Sequence, residues 1–518
     1  MTRPRSSRRL RYGLTAATTL VAVAAASPVD AKLADTRSAA PTTVSVGARA
    51  QPPGDAPAPD LLSLLRRQKS GRDAPGNGRR TEAEPYSWTP YRQAAAPGAL
   101  DPTFGTRGVT STRIPGREDA ANDLVVLRDG AIVAAGGDVN YESPDLVLVR
   151  HRCDGTLDTT FGDQGRVVTP VPPFDGGGGA RAVTADRKGR IVVASITGLG
   201  AEGEYGFLLA RYLPNGRLDR TFGADGLVVT PVGPLRRSGA DDVLVLPDGR
   251  ILAAGGANDA EGRPSFAAAR YLPDGRLDAS FGNDGTVLVP MPGGDAAASR
   301  LVVQKDGRIV LGGTAVEQGL SRFALVRLTP DGALDPSFGG DGVVIEGFPD
   351  SAANGINDLA IQPDGRIVAA GVTGDPNDRT DFALMRFRPD GSLDPAFGGD
   401  GRVRTDFGSN AGATGVVLSP RGGAVAVGQA WPNTALAGYL PNGELDENFG
   451  IDGRTVTSIG PLSAASAAGL QFGRRIVVAG LTNDGSPTDA AFMVARYGLL
   501  DGHFPKHCGR APSVNGRG

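Results

Sequence analysis

A six-residue phrase, Leu-Asp-x-x-Phe-Gly, recurs along this chain at a nearly fixed spacing. It starts at Leu100, Leu157, Leu218, Leu277, Leu334, Leu393 and Leu445. A degenerate eighth copy, which lacks the Gly, occupies residues 500–504. Successive copies start 52 to 61 residues apart. A period of this kind predicts an array of structural repeats in which each unit packs mainly against its neighbours.

The unit from 354 to 407 shows what one repeat contains. Two apolar runs, 356–361 and 366–371, flank Pro363-Asp364-Gly365. This is a strong hairpin signal, because Gly adopts positive φ without steric cost. Further runs at 381–387 and 401–405 complete four short strands. Seven such units predict an all-β fold, a seven-bladed β-propeller of four-stranded blades, because radial stacking covers both faces of each sheet. A linear β-solenoid is the alternative, but its rungs are usually shorter.

The two ends of the array predict how the ring closes. The array begins with one phrase and a lone strand at 108–114, and it ends with three strands at 465–470, 475–480 and 491–497. We therefore expect the N-terminal strand to complete the last blade as its outermost strand.

The segments before the repeats predict export. Residues 1–31 begin with several Arg and no acid, continue with an apolar run at 14–26, and end in small residues, which is the layout of an export signal peptide. The run is too short to predict stable membrane insertion. Ser7-Arg8-Arg9 favours the twin-arginine route, with a Sec signal as the alternative. Both routes predict a secreted or cell-envelope protein. Residues 32–98, rich in Ala, Pro, Arg and Ser, are expected to form a disordered linker or propeptide. The propeller is expected at 99–504 and a C-terminal tail at 505–518.

Composition limits the chemistry that this chain can perform. A net charge of −2 gives no global field for nucleic acid, and three His and two Cys are few for metal or nucleophile chemistry. Cys153 lies in the first unit and Cys508 just past the last third strand, so both belong to units that are neighbours in a closed ring. Because an exported chain meets oxidising conditions, we predict a disulfide between them. Two unrelated thiols are the alternative.

The repeated motifs resemble those of the delta-60 repeat family. The shared motifs are Asp-Gly-Arg-Ile at 248–251, 306–309 and 364–367, and a strand ending in Arg-Tyr or Arg-Phe at 211–212, 270–271, 386–387 and 496–497. The resemblance covers residues 100–504. Departures occur at Gly438, which replaces the strand Arg, and in the seventh unit, which lacks Pro-Asp-Gly. The resemblance implies a bacterial, exported, seven-bladed propeller and no established activity.

The residues that repeat are best explained by architecture. The phrase places a Phe at 104, 161, 222, 281, 338, 397 and 449, and we predict that each ring anchors neighbouring blades. Its Asp is predicted to accept backbone N–H bonds, and the Arg at the end of the third strand to pair with a nearby acid. Two functional alternatives are a ring of calcium ions at the Phe-Gly-x-Asp-Gly turns and an anion-binding ring of arginines. Calcium takes six to eight oxygens, so one carboxylate per turn is too few.

Function is expected on the loops that do not repeat, because binding residues tend to lie on variable loops held by a rigid scaffold. In a propeller, the loops between strands 2 and 3 share a face with the loops between blades. Those 2–3 loops are rich in acids and contain no His. The candidate binding face consists of Asp138, Glu142, Asp145, Glu202, Glu204, Asp259, Glu261, Asp375, Asp378, Asp381 and Trp431. The alternative is a solvated rim that only maintains solubility.

These patterns favour a secreted, non-catalytic propeller that acts as a binding or scaffold module for a protein or glycan ligand. We expect a monomer without a nucleic-acid partner and without a cofactor, calcium being the alternative. An extracellular hydrolase or lyase that uses carboxylates on the same face is the second hypothesis. Streptogramin lyases are similar in blade count but rely on His, which weakens that analogy. A structural envelope protein is the third hypothesis. No catalytic residue and no metal ligand is assigned.

Overall fold

The computed structural model describes residues 96–139, 143–171, 179–200, 203–374, 379–483 and 490–499. Within these ranges the regular structure consists of β-strands, and no helix long and apolar enough to cross a membrane is present. The predicted segments 1–31 and 505–518, and the predicted linker except its last three residues, lie outside the described residues.

The strands of the first half of the chain follow the repeat. They are β1 (Val109–Thr112), then β2 (Asp119–Val126), β3 (Ile132–Asp138), β4 (Leu146–His151) and β5 (Arg166–Thr169) in the first blade, β6 (Ala182–Ala185), β7 (Ile191–Gly198), β8 (Tyr205–Tyr212) and β9 (Leu227–Thr230) in the second, and β10 (Ser238–Val245), β11 (Ile251–Asn258), β12 (Pro264–Tyr271) and β13 (Thr286–Val289) in the third.

The remaining blades continue the same order. They contain β14 (Ala296–Val303), β15 (Ile309–Glu317), β16 (Leu320–Leu328) and β17 (Val343–Glu346) in the fourth, β18 (Ala353–Ile361), β19 (Ile367–Gly374), β20 (Thr380–Phe387) and β21 (Arg402–Thr405) in the fifth, β22 (Ala411–Leu418), β23 (Ala424–Ala430), β24 (Asn433–Tyr439) and β25 (Arg454–Thr457) in the sixth, and β26 (Leu462–Gln471), β27 (Arg475–Asn483) and β28 (Ala491–Gly498) in the seventh.

Each blade is a four-stranded antiparallel sheet. In six sheets the four strands are consecutive, and in the seventh the order is β26-β27-β28-β1. The N-terminal strand β1 pairs antiparallel with β28, with Val109 opposite Ala495. The first strands of successive blades contact one another all the way round, including β2 with β26, so these strands line the axis. The predicted fold class, a seven-bladed all-β propeller, is confirmed.

Burial explains the composition of the strands. The second strand of the third blade, β11, is buried along its whole length, because neighbouring blades cover both faces of the sheet. Its sequence is accordingly apolar or small up to its last residue, Asn258. The fourth strands have only four residues and keep partly exposed side chains, as in β9. Short outer strands limit unwanted pairing at the edge of each sheet.

Seven hydrophobic clusters hold the blades together, one between each pair of neighbours. Each contains the Phe of one phrase, and all seven rings are at most 2% exposed. The ring of Phe338 lies against Gly391 in the Pro-Asp-Gly turn of the next blade, where an added Cβ would come within 3.0 Å of it. The predicted anchoring role of the Phe is confirmed.

The N-terminal segment supplies contacts that later blades make with residues of the next blade. The N–H of Gly339 donates to the carbonyl of Asp390 in the next blade at 2.9 Å, and the N–H of Gly450 donates equivalently to Pro97 at 3.0 Å. Phe104, in the first phrase, lies in the cluster between the seventh and first blades. Among the described residues, contacts with the blades therefore begin at Pro97.

Candidate functional site

The turn face, formed by the turns between strands 1 and 2 and between strands 3 and 4, carries a repeated clamp. In the fourth blade Arg327 Nε donates to Asp335 at 2.8 Å, and the guanidinium lies 4.6 Å from the centre of the Phe338 ring. Arg327 also donates to the carbonyl of Pro389 in the next blade. Asp335 accepts the N–H of Ser337 at 3.0 Å. The clamp therefore joins two blades and closes one turn.

Equivalent arginine–aspartate pairs occur in five other blades. They are Arg150–Asp158, Arg211–Asp219, Arg270–Asp278, Arg386–Asp394 and, across the seam, Arg496–Asp101. The predicted pairing of the strand Arg and the predicted turn role of the Asp are confirmed. Because these guanidiniums are bonded within the blades, they do not form the anion-binding ring considered above.

A second arginine on the same carboxylate was not predicted. Arg308, from the Asp-Gly-Arg turn, donates to Asp335 at 2.7 Å. Burial acts to raise the pKa of Asp335, but the hydrogen bonds from Ser337 and the charge of Arg327 outweigh it and hold the pKa at about 2. The repeated Asp-Gly-Arg motif thus serves the clamp as well as the hairpin.

The loop face lies opposite and is formed by the 2–3 loops and by the connections between blades. In the first blade Arg117 binds Asp119 at 2.9 Å and Asp145 at 2.7 Å. Asp138 accepts the N–H of Ser143 at 3.0 Å. Two of the predicted binding acids are therefore engaged, and Arg117 comes from the connection between blades rather than from a 2–3 loop.

In the second and third blades, arginines likewise neutralise the acids of the 2–3 loops. Glu204 pairs with Arg236 at 2.9 Å across two loops. Asp259 accepts the N–H groups of Glu261 and Arg263, and Arg263 pairs with both acids at 2.8 and 3.2 Å. These acids close their own loops, so the described part of the face is less acidic than the 2–3 loops alone indicate.

Asp381, in the fifth blade, is the predicted acid with the most unusual environment. It is 7% exposed, and its Oδ1 has no hydrogen-bond partner among the described residues. Burial and then the charge of Asp406 raise the pKa of Asp381, while Arg379 and Arg404 oppose the shift. Trp431 is half-buried at the start of the sixth-blade loop, and its backbone N–H donates to the carbonyl of Asn410 at 2.9 Å.

Several predicted residues lie outside the described ranges. They are Glu142, Glu202, Asp375, Asp378 and Cys508. Cys153 is buried at 4% exposure. The disulfide between Cys153 and Cys508 stays a prediction, because Cys508 is not among the described residues.

A shallow cleft opens on the loop face between the second and third blades. It is lined by Arg181, Ile196, Tyr205, Arg237, Ser238, Gly239, Gly256, Ala257, Asn258 and Pro264. Arg181 is held by Asp241 at 2.5 Å. Of these, Tyr205 and Arg237 are polar, accessible side chains that belong to no blade clamp. The sequence did not single out this cleft, because its residues come from five different strands and from the connections before two of them.

A cluster of charges around the axis was also not predicted. Asp123, Asp242 and Asp358 lie on the first strands of alternate blades, each just after a β-bulge, and Arg300 lies on the first strand of the fourth. Arg300 Nε is 3.4 Å from Asp358. Burial acts to lower the pKa of Arg300, but the charges of the three carboxylates raise it above its ordinary value.

The axial carboxylates connect neighbouring blades. Asp242 accepts the N–H of Leu301 in the next blade at 2.7 Å and that of Val243 at 2.8 Å. Asp358 likewise accepts the N–H of Val416 at 2.7 Å. Burial raises the pKa of Asp242 to about 7, although Arg300 and the N–H of Leu301 oppose the shift. Since both oxygens of Asp242 already bind backbone N–H groups, its structural role explains the cluster.

No group of three or more His, Cys, Asp or Glu side chains in the described ranges is placed to hold a metal ion. His151, the single His described, is fully buried in the first blade, 3.0 Å from the hydroxyl of Thr112 on β1. Burial, and then the charge of Arg166, lower the pKa of His151 to about 4, so it is neutral at physiological pH.

Comparison with solved structures found weak likenesses to proteins of several kinds. Virginiamycin B lyase from Staphylococcus aureus is 11% identical, with 75% of this chain and 98% of that chain covered at a TM-score of 0.36. A polysaccharide lyase is 9% identical, with 79% and 98% covered at a TM-score of 0.42. The PQQ-bound aldose sugar dehydrogenase from Streptomyces coelicolor is 14% identical, with 75% and 98% covered at a TM-score of 0.37. Likenesses this weak give no information on ligand or reaction. No curated protein matched the sequence.

Family comparison found a repeat match. The model described as "Domain of unknown function (DUF5122) beta-propeller" matches residues 127–161, 189–222, 246–281, 304–338 and 362–397. Each match ends at the Phe of a phrase, and the matches fall in the first five blades. The sixth and seventh, which lack the strand Arg or the Pro-Asp-Gly turn, are not matched. Five segments of the chain are thus similar to repeats of a β-propeller of unknown function, and the delta-60 name stays a prediction.

Proposed function

We propose that this chain is an exported, non-catalytic β-propeller that binds a ligand, a protein or a glycan, on its loop face. The observation that carries the proposal is the contrast between the two faces. Repeated polar residues of the turn face are engaged in clamps, whereas the loop face presents accessible, non-repeating side chains such as Tyr205, Arg237 and Trp431 around the ends of the inner strands. A rigid ring that displays variable loops is a general design for binding.

The test compares binding of the full chain with that of two surface variants on glycan and peptide arrays. The loop-face variant carries Tyr205→Ala and Trp431→Ala. The turn-face variant carries Asp274→Asn and Arg276→Gln, an exposed pair at 2.8 Å. We expect the loop-face variant to lose the ligands that the wild type retains, and the turn-face variant to keep them. The reverse pattern would refute the proposal.

An extracellular hydrolase or lyase is the second candidate, and Asp381 is the observation that favours it. A buried carboxyl with a raised pKa can act as a general acid. The test is release of new chain ends from array-positive glycans or peptides by wild type and by Asp381→Asn. Turnover that Asp381→Asn abolishes, with binding unchanged, would establish this candidate over the first.

A further inference from the structure

The cleft between the second and third blades lies beside the one blade that departs from the repeat at a glycine of its second strand. In six blades the second strand carries a Gly opposite the inner strand, at positions 136, 255, 313, 371, 428 and 480. An added Cβ there would lie only 1.8–2.0 Å from a carbonyl oxygen of the inner strand. The second blade has Ser195 at this position.

The Ser shortens the inner strand of that blade. β6 has four residues and its pairing with β7 stops at Ala194, whereas β10 pairs with β11 as far as Ala257. Ser195 instead donates its hydroxyl to the carbonyl of Gly179. A cleft lies on the loop face beside the second blade, and it is lined by both Ile196 and Gly239 of the third blade, which pack against each other.

Two adjacent arginines beside this cleft have different environments. Arg236 pairs with Glu204 and does not line the cleft. Arg237 lines the cleft, is exposed, and donates Nε to the carbonyl of Gly203 at 3.0 Å. It forms no ion pair with any carboxylate of the described residues. Because Nε is used in this bond, the two terminal nitrogens of the planar guanidinium face an incoming anion. Two parallel N–H groups of this kind can donate to both oxygens of one carboxylate.

The rest of the cleft has the chemistry of a sugar site. Tyr205 offers a half-buried ring with a polar tip, and the partly exposed Pro264 adds apolar surface for the carbon face of a pyranose. The amide of Asn258 lies at the same wall and donates to Gly262 at 2.7 Å, which fixes its orientation. Arg181, held by Asp241, adds a second positive group.

We propose that this cleft binds a carboxylate-bearing sugar, a uronate unit of an acidic glycan, with Arg237 on the carboxylate and Tyr205 against the ring. This inference rests on the binding function proposed above and names its ligand class. The charge of the ligand is opposite to that expected from the acidic 2–3 loops, because four acids of those loops, Asp145, Glu204, Asp259 and Glu261, already pair with arginines.

The experiment is calorimetric titration of the full chain with a galacturonate trisaccharide, the neutral galactose trisaccharide and inorganic sulfate at one fixed salt concentration. The galacturonate is expected to bind at least about tenfold more tightly than the neutral sugar, because one charge-assisted contact is lost in the latter. Arg237→Gln is expected to remove that difference, and Tyr205→Ala to weaken both sugars. Arg236→Gln, the matched control on the same loop, is expected to change affinity less than about twofold.

Three results would overturn the inference: no binding of galacturonate, equal binding of the neutral sugar, or equal effects of Arg236→Gln and Arg237→Gln. Displacement of galacturonate by equimolar sulfate would also overturn it, since the cleft would then bind anions without a sugar. If Trp431→Ala abolishes glycan binding and Arg237→Gln does not, the cleft inference fails while the loop-face function stands. If no loop-face variant changes any binding, both fail. Unchanged melting temperatures of the variants verify that each one folds.

Discussion

The turn face and the loop face of this propeller use arginine and acidic side chains in opposite ways. On the turn face Arg327 and Asp335 are each 6% exposed and their pairing repeats from blade to blade. On the loop face Arg236 and Glu204 are 51% and 35% exposed, and their pairing does not repeat. Buried pairs that repeat belong to the joints between blades. Exposed pairs contribute little to stability, so the loop face is free to differ between blades.

The largest effect should follow the loss of a joint ring. Phe338→Ala empties a site that is 0% exposed between the fourth and fifth blades, and we expect it to cost about 4 kcal/mol of unfolding free energy. Ile451→Ala, at an 81% exposed position in the equivalent turn of the sixth blade, is the control and should change stability by less than about 0.5 kcal/mol. Denaturant unfolding measures both. Equal losses would remove the distinction between joint and surface.

The second-largest loss of stability should follow the removal of the clamp carboxylate, Asp335. Asp335→Ala leaves the buried Arg327 without its acid and should cost about 3 kcal/mol, because a buried charge loses its partner. Asp446→Ala is the natural control, since Gly438 replaces the strand Arg in that blade and Asp446 mainly closes its own turn. It should cost about 1 kcal/mol. A similar loss in both variants would show that the turn, and not the arginine, sets the role of the carboxylate.

The clamp carboxylate Asp335 and the axial carboxylate Asp242 should make the stability of the protein depend on pH in opposite directions. The folded pKa of Asp335, about 2, lies below its unfolded value of 3.8, so its contribution is present above about pH 4 and is lost as pH falls towards 2. The folded pKa of Asp242, about 7, lies above 3.8, so its contribution is greatest below about pH 4 and is lost as pH rises to 7. Unfolding at a series of pH values should show that Asp242→Asn flattens the decline between pH 4 and 7. An unchanged slope would assign the decline to other groups.

The smallest effect should follow the removal of an exposed loop-face pair. Glu204→Gln breaks the ion pair with Arg236 and should change stability by less than about 0.5 kcal/mol, because both side chains are partly solvated. Thermal unfolding measures the change. A loss as large as that of Asp335→Ala would show that the loop face also holds the blades together.

Sequence patterns predicted the architecture well because they repeat locally. The Asp-Gly turns, the apolar second and third strands and the Phe of each phrase lie close together within one unit. The pairing of Arg386 with Asp394 was predictable for the same reason, as the two residues are eight positions apart. Each such signal occurs many times, so single departures such as Gly438 do not obscure it.

The candidate site was predicted less well because its residues come from different connections. The acids of the 2–3 loops were counted without Arg117 and Arg236, which reach them from the connections between blades. The axial cluster joins Asp123, Asp242, Arg300 and Asp358 from four blades. One local signal was present for the cleft, the Ser195 that replaces a repeated Gly, but only the paired strands show what that Gly avoids.

The sequence by itself determined the number of blades, the order of their strands and the residues of the joints. These follow from short-range hydrogen bonding, side-chain alternation and turn chemistry, which each unit contains in full. Only the tertiary structure decided which charges on the loop face are already paired, where the cleft opens and which charged side chains meet around the axis. Those properties depend on distances between side chains of different blades, and the closed ring sets these distances after all the blades have packed together.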